Sequence, residues 1–204
     1  MLKTTFYFLA FFFQFVFLGA QDILANQTIS GNISVEGNKS LSKIIVYLEN
    51  KSEIISSPPS THVVNQKRLR FSPNMKIVVK GDLVQFLNSE NRQIDHNVYS
   101  LSETKSFDLG LGEKGSTLET TFNKPGVLNY YCSVHKLMEG RMVILPTSYY
   151  TKLNKPGAFK IKDVPSGEWN LKAILFHRRY KTVPLKLKLS EKNITNVKLT
   201  VVKK

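Results

Sequence analysis

The run GVLNYYCSVHKLMEGRMVI, Gly126–Ile144, decides how this chain is read. Two apolar strand-like stretches, GVLNYYC and RMVIL, enclose a short polar loop. The only cysteine of the chain, Cys132, ends the first stretch. His135 follows three positions later and Met138 three after that. A thiol, an imidazole and a thioether on one loop between adjacent strands can converge on a single point.

Outward from this run the chain has the same character. TISGNISV (28–35), KIIVYLE (43–49), MKIVVKG (75–81), LVQFLN (83–88), HNVYSL (96–101) and TLETTF (117–122) precede it. RMVILP (141–146), AFKIKDV (158–164), WNLKAILF (169–176), VPLKLKL (183–189) and TNVKLTVV (195–202) complete the series. Gly-Asp at 81–82, Pro-Gly at 125–126 and 156–157, and Pro-Ser-Gly at 165–167 punctuate them as turns. No window keeps a helical period beyond two turns, so the fold class is all-β, a sandwich or barrel of short strands. In VPLKLKL, Leu185, Leu187 and Leu189 point one way and Lys186 and Lys188 the other.

The first 20 residues read as a leader rather than as fold. Lys3 precedes the apolar core Phe6–Leu18, which is followed by a small-residue exit. That core is short of the roughly 20 residues a membrane span needs. Cleavage is expected after Ala20, with Ala25 or an uncleaved anchor as the alternatives. The mature protein is then periplasmic or secreted, with no stable membrane span. In an oxidising compartment cysteines usually come in pairs. An odd one is intermolecular, free, a ligand or simply buried, and its neighbours must decide.

Charge is uneven. Residues 21–135 carry 12 basic and 11 acidic side chains, whereas residues 136–204 carry 16 and 4. Such a basic region can attract nucleic acid, anionic lipid or an acidic protein, or is a solvated lysine face. Nucleic-acid binding is not expected. The chain has no Gly-rich phosphate loop, no H-E-x-x-H and no G-x-S-x-G, so it is not read as an enzyme and no catalytic residue is assigned.

Cys132, His135 and Met138 form C-x2-H-x2-M and lack a second imidazole. His96, at the start of HNVYSL, is the best candidate. Two histidines, a thiolate and a weak axial methionine are the ligand set of a type 1 copper site. Met142 is a rival axial ligand, read here as core.

Here the central segment resembles the cupredoxins, the blue copper proteins. MKIVVKGDLVQFLNSENRQIDHNVYS resembles their first half and GVLNYYCSVHKLMEGRMVI their ligand loop, closest in spacing to the amicyanin type. The resemblance covers roughly residues 63–146. It implies a Greek-key sandwich, one type 1 copper ion, equatorial ligands His96, Cys132 and His135, and axial Met138. Asn97 resembles the asparagine that ties the two ligand loops together. Many such loops have proline before the second histidine, but Val134 stands here. Its free N–H, if aimed at the Cys132 sulfur, is expected to raise the potential.

The flanks resemble a transthyretin-like or carboxypeptidase-regulatory-like sandwich, a combination similar to bacterial periplasmic methylamine-utilisation-type proteins. The expected organisation is a leader (1–20), a discontinuous flanking sandwich (21–57 with 147–204) and an inserted cupredoxin domain (58–146). The crossings would be 52–63 and 146–157, and two domains in tandem are the alternative. The expected function is one-electron transfer to or from an acidic redox protein. The alternatives are copper delivery without redox turnover and a structural envelope role.

Overall fold

The computed structural model describes residues 26–38, 40–50, 58–190 and 192–204. The expected leader therefore lies outside the described residues. Two strands come first, β1 (Gln27–Val35) and β2 (Ile44–Glu49), with one short 3-10 turn between them. Nine follow: β3 (Thr61–Gln66), β4 (Phe71–Ser72), β5 (Met75–Val79), β6 (Leu83–Asn88), β7 (His96–Ser102), β8 (Lys105–Gly112), β9 (Thr117–Thr121), β10 (Gly126–Tyr131) and β11 (Glu139–Leu145). The last six are β12 (Tyr150–Leu153), β13 (Gly157–Val164), β14 (Gly167–Ile174), β15 (Tyr180–Thr182), β16 (Leu185–Leu189) and β17 (Ile194–Lys203). The protein is all-β. No helix among the described residues is long and apolar enough to cross a membrane.

The strands form four sheets. The order β13-β1-β17-β15 makes one and β12-β2-β14-β16 a second, so both mix strands from the two ends of the chain. The orders β5-β11-β10-β7-β8 and β4-β3-β6-β9 use only the middle. Each pair of sheets encloses its own core. Ile29, Ile33, Val46, Leu48, Trp169, Leu171 and Leu199 belong to the outer one. Val64, Phe86, Val98, Leu128, Tyr130, Cys132 and Met138 belong to the middle one. The period-two pattern explains the sorting: Phe159 and Ile161 are buried on β13 while Lys160 and Lys162 are exposed.

The crossings differ from expectation. Residues 51–57 lie outside the described residues, and Thr61–Val63 already belong to β3, which runs parallel to β6. The second expected crossing contains β12, which pairs antiparallel with β2, Tyr150 opposite Tyr47. The returning chain thus recovers its backbone hydrogen bonds by adding a strand to the sheet it left.

Candidate metal centre

Strand alternation carries the site. On β10, Leu128 and Tyr130 are buried while Val127, Asn129 and Tyr131 lie nearer the surface, and Cys132 continues the inward series just past the strand end. β7 pairs beside it, Tyr99 opposite Tyr131, which brings the first residues of β7 alongside the cysteine. The loop after Cys132 closes on itself: the Met138 N–H donates to the His135 carbonyl at 3.0 Å, and the Cys132 N–H to the Met138 carbonyl at 3.1 Å.

Three donors converge. Cys132 Sγ lies 3.7 Å from His135 Nδ1 and 3.9 Å from His96 Nδ1. All three donor atoms lie within 4.8 Å of one another. An ion about 2.3 Å from a thiolate and about 2.0 Å from an imidazole nitrogen, at a nearly trigonal angle, needs a sulfur-to-nitrogen spacing of about 3.7 Å. Both sulfur-to-nitrogen spacings suit a first-row metal. Met138 is buried in the same core as Cys132. Met142 is buried too, but it stands opposite Leu128 in the middle of a strand pair.

His96 is fully buried, and His135 is half-buried. Burial pushes the His96 imidazole toward its neutral form, against the pull of Glu90, whose Oε1 lies 3.2 Å from Nε2. Neutral imidazole is the form that binds metal. Burial works to raise the Glu90 carboxyl, but the backbone N–H groups of Leu69 and Arg68 and the His96 ring outweigh it and hold it below the usual carboxylate range.

Asn97 ties the two ligand segments. Its Oδ1 accepts the Ser133 N–H at 3.3 Å, and its Nδ2 donates to Asp108 Oδ1 at 2.6 Å and to the Gly110 carbonyl at 3.1 Å. The sulfur of Cys132 accepts the backbone N–H of Asn97 at 3.4 Å. This corrects the expectation about Val134. Among the described residues the amide on the sulfur comes from the neighbouring strand, because the β7–β10 pairing puts it there. Val134 is instead 51% exposed.

Residues 60–145 match the model of a family described as copper binding proteins, plastocyanin/azurin family. The central segment is cupredoxin-like. Its cofactor is one copper ion, in keeping with the His–Cys–His donor set. Among solved structures, the chain is similar to a purple cupredoxin from Nitrosopumilus maritimus, at 22% identity over 40% of this chain and 97% of that one, TM-score 0.36. A copper(I) amicyanin variant matches at 19% identity over 48% and 97% of the two chains, TM-score 0.38. The copper-containing nitrite reductase of Thermus scotoductus SA-01 matches at 21% identity over 48% of this chain and 25% of that one, TM-score 0.39.

The cupredoxin-like segment also has an open side. A groove of about 710 Å³ is lined by His135 and Met138 together with Arg68, Leu69, Arg70, Val134, Lys136 and Leu137. Leu137 is 94% exposed and Leu69 43%. Sequence reasoning weighed the basic charge of residues 136–204 and did not single out Arg68 and Arg70. The signal available was the basic run KRLR (67–70). His62 and His177 stand apart from the donors: His62 bonds Asp82 at 2.7 Å, and His177 packs against Tyr180.

Proposed function

We propose that this is an exported type 1 copper protein that carries one electron between redox partners and is not itself an enzyme. The observation that carries the reading is the convergence of His96 Nδ1, Cys132 Sγ and His135 Nδ1 beside a buried methionine. Copper supplies the one-electron couple between Cu(I) and Cu(II). His96, Cys132 and His135 would hold it, with Met138 as the weak axial donor. The hydrogen bonds of Met138, Asn97 and Ser133 keep these donors in place, which limits rearrangement between oxidation states. Burial of His96, Cys132 and Met138 excludes water from that side.

His135 is the one of these four residues that is not buried, and it lines the groove. A partner seated there on Leu69, Val134 and Leu137 brings its own redox centre closest. Arg68, Arg70 and Lys136 favour an acidic partner, and such steering weakens as salt rises. Periplasmic or secreted location is part of the proposal and rests on the leader-like residues 1–20.

The test is a visible absorption and electron paramagnetic resonance spectrum of residues 21–204 with Cu(II), beside Cys132→Ser. An intense thiolate-to-copper band with narrow hyperfine splitting, absent from the variant, is expected, together with a reversible potential. A weak spectrum that Cys132→Ser leaves unchanged would overturn the proposal.

A further inference from the structure

Glu90 is a carboxylate inside the protein, 8% exposed, and the expected function gives it no role. Its Oε1 meets two groups: His96 Nε2 at 3.2 Å and the Leu69 backbone N–H at 2.8 Å. A carboxylate only accepts, so His96 Nε2 must carry the proton. Nδ1 is then left bare, and Nδ1 is the atom that faces Cys132. The loop that presents Glu90 is pinned by Asn88, whose Oδ1 accepts the Glu90 N–H and whose Nδ2 donates to the carbonyls of Ile94 and Gly112.

The second contact belongs to the groove rim. Lys67–Arg70 closes a tight hairpin between β3 and β4, with Lys67 and Arg70 exchanging backbone hydrogen bonds at 3.0 and 3.2 Å. Its two central residues, Arg68 and Leu69, sit at φ of 55° and 57°. Two-residue hairpin turns of this kind ordinarily use Asn-Gly. A side chain in the left-handed region carries a steric cost that glycine avoids. Here two adjacent non-glycine residues adopt it, and the Leu69 N–H is aimed at Glu90.

We infer that Glu90 is a positioning residue for His96, fixing which ring nitrogen faces the metal and joining that ligand to the rim hairpin Lys67–Arg70. The inference rests on the copper reading of the site. Carboxylates behind a ligand histidine hold ring orientation, and their loss typically weakens metal binding 10–100-fold. Removing this buried negative charge costs Cu(II) more than Cu(I), so the potential must rise. A tenfold difference between the two affinity losses corresponds to about 59 mV for one electron.

The first experiment needs neither metal nor variant: long-range proton–nitrogen-15 correlation spectra of the metal-free protein at pH 8. One His96 tautomer with the proton on Nε2 is expected; a proton on Nδ1, or two exchanging forms, would overturn the inference. The second measures Cu(II) and Cu(I) affinity and the potential of Glu90→Gln and, as a control carboxylate, Glu103→Gln. Glu90→Gln should lose at least tenfold in Cu(II) affinity and shift the potential upward. Glu103→Gln removes an exposed carboxylate at the turn between β7 and β8 and should leave both within error of the wild type. Unchanged affinity and potential in Glu90→Gln would refute the role. A wild-type protein that binds no copper would instead refute the proposed function, and the tautomer result would stand by itself.

Discussion

Exchanging the polarity of one hydrogen bond at Asn97 tests whether the two ligand segments are held as described. Asn97→Ala removes three side-chain bonds, to Ser133, Asp108 and Gly110. Each neutral bond is worth about 1 kcal/mol and a charged one more. Asp108, Gly110 and Ser133 are exposed, so water replaces much of what is lost. The expected cost is about 1–2 kcal/mol. Asn97→Asp keeps the acceptor for Ser133 but sets a second carboxylate against Asp108. Two like charges at about 4 Å repel by roughly 1 kcal/mol in water and about 4 at an effective dielectric of 20. Asn97→Asp should therefore be the worse of the two at pH 7, by about 1–2 kcal/mol with Asp108 on the surface.

Combining Asn97→Asp with Asp108→Asn puts a carboxylate at 97 opposite an amide at 108. The donor and acceptor exchange ends, the Ser133 N–H keeps its partner, and most of the loss should be recovered. Urea denaturation of the metal-free protein measures the cycle, and the coupling term isolates the pair. Copper-loaded samples should show a larger Asn97→Ala effect, because Ser133 adjoins the proposed ligand Cys132. The reasoning fails if Asn97→Asp is no worse than Asn97→Ala, or if the double variant gives no recovery.

Four further predictions concern the frame around the site. A Cβ on Gly140 would overlap the Tyr130 ring, so Gly140→Ala should cost about 1–3 kcal/mol in thermal or urea unfolding; the Tyr130 hydroxyl is buried with no partner among the described residues, so Tyr130→Phe should be neutral or stabilising by about 1 kcal/mol. Burial works to raise the Asp82 carboxyl, but the N–H groups of Ser60 and Val79 and the His62 ring outweigh it and hold it below the usual range. Its contribution is thus present above the ordinary carboxylate pKa and lost as pH falls through the lower folded value. Asp82→Asn should accordingly lose less stability than wild type between pH 7 and pH 3, measured as urea midpoints. Ile45 packs with Val143 and Leu145 in a third cluster, so Ile45→Ala should cost about 2–4 kcal/mol and split calorimetric unfolding into two steps.

The all-β class was readable because most strands carry an apolar face against polar or lysine positions, as β13 and β16 do. Strands that bury polar groups or stand at an edge escape the same reading. β3 buries Gln66, whose carbonyl accepts the Ser89 N–H. β8 is the edge of its sheet and contains Gly110 and Gly112, and its inward Phe107 and Leu109 are only half-buried. The donors on the 132–138 loop are visible as a spacing, since one turn holds them. Glu90 has no such signature: it precedes His96 by six residues, and they meet only because Asn88 folds the intervening loop back. The Val134 expectation fails for a related reason, since local sequence does not show that a neighbouring strand already supplies the sulfur with its N–H.

One strand joins the site to the rest of the molecule. β11 begins at Glu139, directly after Met138, and its two faces serve different cores. Met142 and Ile144 belong with Cys132 and Tyr130. Val143 and Leu145 pack with Ile45, beside Tyr47, Met75, Ile77, Tyr150, Ile174 and Phe176. Burial on both faces is why MVIL runs apolar without alternation. The Arg141 guanidinium lies 5.1 Å over the Phe176 ring at the same joint. The chain's exit and return are fastened there too: the Leu48 N–H donates to the Tyr149 carbonyl at 3.0 Å, and Thr147 Oγ1 donates to the Leu48 carbonyl at 2.6 Å. This packed apolar joint acts on the strand that leaves the metal loop, so the outer sheets brace β11 directly after Met138.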